Sequence, residues 1–548
     1  MKDRQKKQSN KAILLQIIDN IASLKVVSDD SVSRIIAKNP SVDSFTYSKS
    51  QVLEAYNRYK NTIKLTSNQE KKLLEGLKMK KIRTMSGVTP VAVLTKPFPC
   101  PGNCIYCPND PKMPKSYLSA EPGAQRALQN EFDPYLQVYN RLLAYKNIGH
   151  PTDKVELIVL GGTWSFYPQN YQIWFIKRAF DAMNDFNSRS NRYLDVSSEV
   201  KEKKVAWEDL FQAQKKNEKA HSRCVGLVLE TRPDYIDEKE AVKLRKFGCT
   251  KVQIGVQSLD DKILNLNKRG HKVKETRKAF EILRSAGFKI HAHWMPNLYG
   301  SNPEKDIEDY KKLFSGPFLR PDELKIYPCS LINNTELYKL YKNKKWKPYT
   351  EKQLIKVLSK CFEMTPRYCR ISRVVRDISS DDIVAGNKKS NFRQIVDNFL
   401  KVNNIRVVEI RSREIKNEKI SFQDLEFKKT SYDTSNSREY FLEYVTKEDK
   451  IVGFLRLSLP KNNSYIKELK DSAIIREVHV YGESVKIGKT DSGKPQHLGI
   501  GSVLINKAES LSAENGFNKI SVISSIGTRE YYSKRGYRLV GLYQSKKI

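Results

Sequence analysis

Three cysteines, Cys100, Cys104 and Cys107, lie in one short run with the spacing C-x3-C-x2-C. Three thiolates on one loop can bind three of the four irons of a 4Fe–4S cluster. The next cysteine along the chain is Cys224, so the fourth iron would stay open to a small molecule. A zinc loop would favour paired C-x2-C units or histidines at fixed distances, and neither follows here. We therefore predict an iron–sulfur site at these three cysteines.

This loop resembles that of radical S-adenosylmethionine (SAM) enzymes, in which SAM binds the open iron and is cleaved to a 5′-deoxyadenosyl radical. Later strand ends carry residues suited to SAM. A glycine pair lets the backbone approach its methionine end, although many turns contain such a pair. An acid and a base suit its carboxylate or ribose, or simply pair with each other. The residues assigned to SAM are Gly161, Gly162, Thr163, Glu230, Arg232 and Gln257.

A second motif, near the C-terminus, is typical of coenzyme binding. A glycine-rich run lies between a predicted strand and a predicted helix, where free N–H groups bind phosphates. The pattern Q-x-x-G-x-G is the acetyl-CoA signature of GNAT acetyltransferases. We assign to acetyl-CoA this run and two valines of the preceding strand: Gln496, His497, Leu498, Gly499, Ile500, Gly501, Ser502, Val478 and Val480.

Two adjacent tyrosines, Tyr531 and Tyr532, follow this motif at the place where a GNAT fold puts a hydroxyl near the thioester sulfur. Neighbouring residues on a helix point about 100° apart, so only one of them can face the coenzyme. We favour Tyr531 as the catalytic residue. Glu477 and His479 on the preceding strand are the next catalytic candidates, since either could face solvent or the acyl group.

Alternating strands and helices must position these residues. Apolar strands begin near Val91, Val155, Cys224, Lys251, Lys289 and Glu323. This rhythm predicts βα units and a parallel sheet forming a full or partial barrel, with its active site at the carboxyl ends of the strands. His291 and His293 share one face of a strand and are expected to line the barrel.

The predicted fold class is α/β, with four regions along the chain. They are a small basic helical segment over 1–80, a radical SAM partial (β/α) barrel over 81–340, a basic linker over 341–400 and a GNAT α/β domain over 401–548. The last region is predicted from its shorter, antiparallel-looking strands.

The composition indicates a polyanionic partner. The 548 residues carry a net charge of +36, although a lysine-rich solvated surface would give the same total. Residues 1–80 hold 16 Lys and Arg against 8 Asp and Glu, with tyrosines that could stack on bases or pack in a core. No apolar run approaches the roughly 20 residues of a membrane span, and the first residues lack an apolar signal core. Eight cysteines without a paired framework fit a reducing compartment, so we expect a cytoplasmic protein.

A radical SAM barrel joined to a GNAT domain resembles the catalytic subunit of Elongator, the tRNA wobble-uridine modifying enzyme. The resemblance covers most of the chain, whereas residues 1–80 match only in being basic and helical. The runs that carry it include Arg83-Thr-Met-Ser-Gly-Val, Glu230-Thr-Arg-Pro-Asp-Tyr, Gly255-Val-Gln-Ser, Leu266-Asn-Lys-Arg-Gly-His, Met295-Pro-Asn-Leu-Tyr-Gly-Ser, Ile383-Val-Ala-Gly-Asn-Lys, Arg476-Glu-Val-His-Val-Tyr-Gly and Arg529-Glu-Tyr-Tyr-Ser-Lys-Arg-Gly-Tyr.

This resemblance implies a reaction. The acetyl group of acetyl-CoA loses a methyl hydrogen to the 5′-deoxyadenosyl radical and adds to carbon 5 of the wobble uridine, and thioester hydrolysis leaves a carboxymethyl group. An electron donor is required, and the basic segment and linker would hold the tRNA anticodon stem-loop. The sequence leaves open whether the chain acts alone or as a homodimer.

The family often carries a cysteine-rich zinc site, but here the matching run is Val407-Val-Glu-Ile-Arg-Ser-Arg-Glu, without cysteine, so we expect no zinc. Two other functions compete. A protein lysine acetyltransferase would use the barrel as a scaffold, which the complete cysteine loop and the basic surface argue against. A tRNA-binding subunit without catalysis would not need the cysteines and tyrosines.

Overall fold

The computed structural model describes residues 2–79, 87–187, 189–194, 202, 204–415, 420–482 and 499–548. Its N-terminal helices are α1 (Lys2–Ala22), α2 (Asp29–Lys38), α3 (Lys49–Tyr59) and α4 (Ser67–Leu77). Ser28, Ser48 and Thr66 begin the last three with capping boxes, which satisfy N–H groups of the first turn. Among the described residues, no helix is long and apolar enough to cross a bilayer.

The four helices enclose a small hydrophobic core of their own, separate from the main core of the chain. Tyr56 is buried in it, and its hydroxyl donates to Glu70 at 2.7 Å. Tyr47 and Tyr59 pack against the same core. Of the two roles left open for these tyrosines, the structure therefore favours packing over base stacking.

A parallel sheet forms the first large domain, as the strand–helix rhythm predicts. The strands of this region are β1 (Thr89–Leu94), β2 (Lys154–Leu160), β3 (Arg223–Thr231), β4 (Lys251–Gln257), β5 (Lys289–Trp294), β6 (Glu323–Ile326), β7 (Leu331–Ile332), β8 (Arg370–Arg373) and β9 (Ile383–Ala385). Seven of them pair in the order β1-β2-β3-β4-β5-β6-β8, and β7 pairs with β9 in a separate antiparallel ribbon. The predicted α/β class is confirmed.

Helices cover this sheet. They are α5 (Pro122–Gln129), α6 (Pro134–Asn147), α7 (Gln169–Asp185), α8 (Trp207–Asn217), α9 (Glu238–Lys246), α10 (Asp261–Leu266), α11 (Val273–Ser285), α12 (Pro303–Ser315), α13 (Glu336–Lys342), α14 (Glu351–Met364) and α15 (Phe392–Val402). The crossover helices between parallel strands bury apolar faces against the sheet.

The prediction that residues 341–400 form only a linker is wrong, because this segment contributes a strand to the parallel sheet. Strand β8 pairs in parallel with β6 and extends the sheet. Helix α14 buries Leu354, Val357 and Phe362 in the main core. The strand escaped sequence analysis because it is short and only its Ile371 is both apolar and buried.

A second, mostly antiparallel sheet follows. Its strands are β10 (Glu426–Asp433), β11 (Ser437–Val445), β12 (Ile451–Pro460), β13 (Ala473–Val480), β14 (Lys519–Val522), β15 (Arg538–Val540) and β16 (Tyr543–Lys547), and the helices are α16 (Ile410–Arg413), α17 (Ile500–Glu514) and α18 (Arg529–Ser533). Strands β13 and β14 run parallel but pair only from Ala473 to Ile475 on the β13 side. Beyond that point β13 has no partner in β14, and the N-terminus of α17 packs near its free half.

Buried charges join the two sheets. Asp322, immediately before β6, accepts hydrogen bonds from both terminal nitrogens of Arg476 on β13, each at 2.7 Å. Arg456 on β12 lies 3.4 Å from the same carboxylate. All three side chains are fully buried, and the hydrophobic core around them is continuous between the two domains. The second sheet is therefore fixed against the amino ends of the barrel strands.

Candidate functional site

The cysteine loop follows β1 at the carboxyl edge of the parallel sheet. Its three cysteines are half-buried and free of disulfides. Cys107 N donates to Cys104 O at 3.1 Å, which folds the C-x2-C part into a turn, and Ile105 N donates to Asn267 O at 3.3 Å. The chain therefore holds the loop against the segment that follows α10.

The surroundings of Cys104 suit a bound thiolate, whereas burial raises the pKa of Cys107 to about 12. Burial alone would raise the pKa of Cys104, but the guanidinium of Arg269, with Arg232 behind it, lowers that pKa below its usual value. Arg269 Nη1 donates to Cys104 Sγ at 3.6 Å. Among the described residues, no three His, Cys, Asp or Glu side chains converge to hold a single metal ion. A 4Fe–4S cluster binds each thiolate through a different iron, so three spaced sulfurs in a positive setting fit it.

The glycine turn after β2 lies beside this loop. Cys100 Sγ is 3.7 Å from Thr163 Oγ1, so the structure brings together two residues predicted for one site. Gly161 has φ +134° and Gly162 has φ +88°, a region that disfavours other residues. A side chain on Gly161 would collide with Thr95. The turn therefore needs glycine for its own backbone path as well as for any ligand.

A cavity of about 170 Å³ opens at the same edge of the sheet. Its lining includes Cys107, Glu230, Gln257, His293, Lys325 and Arg376. Burial raises the pKa of Glu230, and the nearby cations Lys325 and Arg376 oppose that rise. Gln257 has φ +69°, and its side-chain oxygen is buried without a hydrogen-bond partner among the described residues. A polar ligand in this cavity would satisfy it.

Arg232, also predicted for SAM, is absent from the cavity lining. Its guanidinium turns behind the cysteine loop and pairs with Asp234 at 2.9 Å. Sequence analysis missed Arg269, Lys325 and Arg376 as parts of the site. Arg269 lies 165 positions from Cys104 along the chain, so no local spacing links the two residues. The one sequence signal for Arg269 was that the run 266–271 resembles a motif of the Elongator family.

Buried polar side chains fill the barrel lumen between the cavity and the second sheet. Glu477 of β13 pairs with Lys289, which lies 2.7 Å from Glu323. His291 is 3.2 Å from the same carboxylate. His293, two residues further along β5, donates from Nε2 to Gln253 Oε1 at 3.0 Å. The two histidines line the barrel as predicted, and burial lowers the pKa of both, so they are uncharged at neutral pH.

The second candidate site is the N-terminus of α17. Gly499 caps this helix with φ +69°, a conformation that glycine adopts without strain. Ser502 accepts a hydrogen bond from Arg535 Nη2 at 2.6 Å. Residues Gln496, His497 and Leu498 lie outside the described residues. The remaining members of the run thus combine helix N–H groups with a nearby arginine, a setting that favours an anion.

The two adjacent tyrosines have different environments. Tyr532 is 7% exposed and belongs to the core, whereas Tyr531 is 37% exposed. The Tyr531 ring stacks under the Arg535 guanidinium at 3.5 Å, and its hydroxyl lies against Gly501. The structure therefore places Tyr531, and not Tyr532, at the N-terminus of α17.

The other candidates on β13 are placed differently. Both carboxylate oxygens of Glu477 are occupied, by Lys289 and by Arg456 Nε at 2.8 Å, which favours a structural role. Burial lowers the pKa of His479 to about 4, and its Nε2 has no hydrogen-bond partner among the described residues. Val478 and Val480 are half-buried beside them, and Val480 lies near Gly453 and Gly501.

Comparison with known proteins extends over both sites. Residues 99–313 match the radical SAM superfamily, and residues 321–401 match the radical SAM C-terminal domain, which includes the segment predicted as a linker. The chain is 40% identical over 503 residues to the tRNA uridine(34) acetyltransferase of Methanocaldococcus infernus, covering 89% of this chain and 90% of that protein. It is 35% identical over 497 residues to Elongator complex protein 3 of Homo sapiens, covering 87% of each.

A solved structure is also similar. The archaeal Methanocaldococcus infernus Elp3 with an N-terminal deletion matches with a TM-score of 0.71 at 37% identity, over 84% of this chain and 99% of that one. Together with the three-cysteine loop at the mouth of a parallel barrel, these matches establish that the chain belongs to the radical SAM superfamily and, within it, to the family of tRNA uridine(34) acetyltransferases and Elongator complex protein 3.

Proposed function

We propose that this chain is a cytoplasmic tRNA-modifying enzyme that uses SAM-derived radical chemistry and acetyl-CoA to attach a carboxymethyl group to carbon 5 of the wobble uridine. The observation that carries the proposal is the presence of two sites on one rigidly joined chain. One is the cysteine loop with its polar cavity, and the other is a glycine-capped helix N-terminus with a tyrosine hydroxyl beside it. Relatives named for tRNA uridine(34) acetylation supply the substrate class.

Cys100, Cys104 and Cys107 would hold the 4Fe–4S cluster in this scheme. The cluster, when bound, supplies the electron that cleaves SAM, and that electron comes from an external donor. The cavity residues Glu230 and Gln257 would orient SAM, since one is a buried carboxylate and the other offers an unpartnered amide oxygen.

Gly499, Gly501 and Ser502 would bind the pyrophosphate of acetyl-CoA through N–H groups at the start of α17. Tyr531 would act at the thioester. Burial raises the pKa of its phenol above the usual value, so the hydroxyl holds its proton at neutral pH and can donate it to the departing thiolate of coenzyme A. The basic N-terminal helices would bind the tRNA anticodon stem-loop.

The experiment that tests this function is an anaerobic incubation with SAM, a reductant and acetyl-CoA whose methyl group carries deuterium. Transfer of the methyl hydrogen predicts deuterium in 5′-deoxyadenosine and a carboxymethyl group on uridine, both read by mass spectrometry and both dependent on tRNA. The Cys104→Ala variant is the matched control. Acetyl-lysine formed on a histone peptide, with no modified uridine, would contradict the proposal and support the lysine acetyltransferase alternative.

A further inference from the structure

Two arginines lie directly behind the cysteine loop and are almost completely buried. Arg232 is 4% exposed and Arg269 is 7% exposed. Arg269 Nη1 donates to Cys104 Sγ at 3.6 Å, and its Nη2 donates to Gly255 O at 2.7 Å. Arg232 Nη2 donates to Arg269 O at 2.8 Å. The two guanidinium groups therefore form one layer between the cysteine loop and the barrel wall.

Three glycines make room for this layer. A Cβ on Gly102, inside the cysteine loop, would overlap Arg232 Nη1. A Cβ on Gly255 would lie 2.5 Å from Arg269 Nη2, and one on Gly270 would lie 3.1 Å from Arg232 Nη2. Three separate chain segments thus come within contact distance of the guanidinium groups only because they lack side chains. The loop backbone and the arginines form a fitted unit.

The charges of this unit do not balance within the protein. Asp234 pairs with Arg232 through two oxygens, at 3.0 and 2.9 Å. Arg269 forms no ion pair with a carboxylate among the described residues; the groups that act on its charge are the Cys104 thiol, to which it donates, and, beyond it, Tyr106 and Asp234. His271 beside them adds no charge, because burial and the two arginines lower its pKa to about 2. An unpaired buried charge is costly, so an anion is missing here.

Two donor groups are also left over. Arg232 Nη1 and Arg269 Nε are buried, and neither has a hydrogen-bond partner among the described residues. Arg232 Nη1 is the atom that faces Gly102 of the cysteine loop. A three-thiolate cluster in that loop would supply both the missing negative charge and sulfur acceptors for N–H groups.

We propose that Arg269 and Arg232 are positioning residues that set the reduction potential of the 4Fe–4S cluster through N–H···S hydrogen bonds and positive charge. The proposal rests on the cluster site of the proposed function. Reduction adds one negative charge to the cluster, and hydrogen bonds to sulfur and nearby cations stabilise that reduced state. The arginine layer therefore makes the cluster easier to reduce.

The test is a redox titration of the anaerobically reconstituted full-length protein, followed by the electron paramagnetic resonance signal of the reduced cluster. Iron and sulfide content are measured first. Arg269→Gln removes the charge and the N–H···S bond, so at a fixed solution potential we expect the ratio of reduced to oxidised cluster to fall about tenfold. For a one-electron couple this equals a shift of about 59 mV to more negative potential.

Arg269→Lys keeps the charge but loses the planar fork that contacts Cys104 and Gly255 together, so we expect a smaller shift in the same direction. If Arg269→Gln fails to retain iron, the potential of Arg269→Lys alone tests the proposal. The matched control is Lys268→Gln, which removes one cation from the adjacent position, where the lysine is 55% exposed and pairs with Glu336. The control is expected to keep the wild-type potential.

Equal potentials in the wild type, in Arg269→Lys and, where it retains iron, in Arg269→Gln would overturn the proposal. An equal shift in Lys268→Gln would overturn it too, because a general loss of charge would then explain the result. Failure of the cluster site itself gives a different readout: a Cys100→Ala variant that binds as much iron as the wild type would contradict the proposed function, whatever the potentials are.

Discussion

The hydroxyl oxygen of Tyr531 lies 2.7 Å from the point that a Cβ on Gly501 would occupy. Two segments separated along the chain, the first turn of α17 and helix α18, thus meet at one spot that only a glycine leaves open. Arg535, one turn after Tyr531, reaches across to Ser502 and fixes the two helices together. The glycine-capped end of α17 and the hydroxyl of Tyr531 therefore belong to the same small site.

Tyr531→Phe removes the hydroxyl while keeping the ring and its stacking on Arg535. We expect tRNA-dependent hydrolysis of acetyl-CoA to slow by roughly 100-fold, the usual contribution of a positioned proton donor. The melting temperature and tRNA affinity should stay unchanged. Tyr532→Phe is the matched control, because that ring packs in the core and should leave turnover near wild type. Full turnover in Tyr531→Phe would exclude the phenol from the thioester step and direct attention to His479.

Gly501→Ala places a methyl group against the Tyr531 hydroxyl, so either the tyrosine or the helix must move. We expect acetyl-CoA affinity, measured by calorimetry, to fall at least tenfold while SAM cleavage survives. Gly316→Ala is a control, because a Cβ there meets only Phe318 at an ordinary 3.7 Å. Wild-type affinity in Gly501→Ala would place the coenzyme elsewhere.

Replacing Cys100, Cys104 or Cys107 singly with Ala removes one of three thiolates from the predicted cluster. We expect reconstituted protein to lose most of its iron and the brown chromophore, and to form no 5′-deoxyadenosine. Cys224→Ala tests specificity, since this cysteine is buried in the barrel core away from the loop. Formation of 5′-deoxyadenosine by a variant lacking all three cysteines would contradict the cluster assignment.

Asp322→Asn leaves the buried guanidinium groups of Arg476 and Arg456 without their shared anion. Breaking such a pair costs about 3–5 kcal/mol. We expect a lower midpoint of urea unfolding, whereas Glu304→Gln, which breaks an exposed pair with Lys356, should change it little. An unchanged midpoint in Asp322→Asn would show that the Asp322 ion pairs contribute little to holding the domains together.

The same carboxylate predicts a pH dependence. The arginines hold the pKa of Asp322 well below its usual range, although burial opposes them. A depressed pKa in the folded state stabilises the protein above the unfolded value of about 3.9, and that stabilisation is lost as the pH falls further. Wild-type stability should therefore drop more steeply below pH 4 than that of Asp322→Asn. Parallel profiles would contradict this sign.

Deleting residues 1–80 removes an excess of eight positive charges together with a helical unit that has its own core. We expect weaker tRNA binding and a shallower dependence of log K on log salt, by about 0.7 to 0.9 for each lost phosphate contact. The truncated protein should retain its iron and a cooperative unfolding transition. The same affinity and salt slope would locate the RNA contacts on the barrel and the second domain.

Features set by local spacing were predictable from the sequence alone. The three cysteines fall on one loop, and the glycine run precedes one helix, because a few residues fix the path of the chain there. The parallel sheet followed from apolar runs alternating with helices. The prediction over 341–400 failed because it also depended on local pattern: β8 carries one buried apolar residue, which is too weak a signal to identify a strand.

Only the tertiary structure decided which distant side chains meet at each site. Arg269 donates a hydrogen bond to Cys104, 165 positions away in the sequence, and Lys289 pairs with Glu477, 188 positions away. The choice between Tyr531 and Tyr532 likewise depended on how α18 packs against the second sheet. Such contacts are set by the packing of strands and helices onto a shared core, and no spacing along the chain encodes them. A lone buried arginine or carboxylate in a sequence does not indicate its partner until the fold brings the two together.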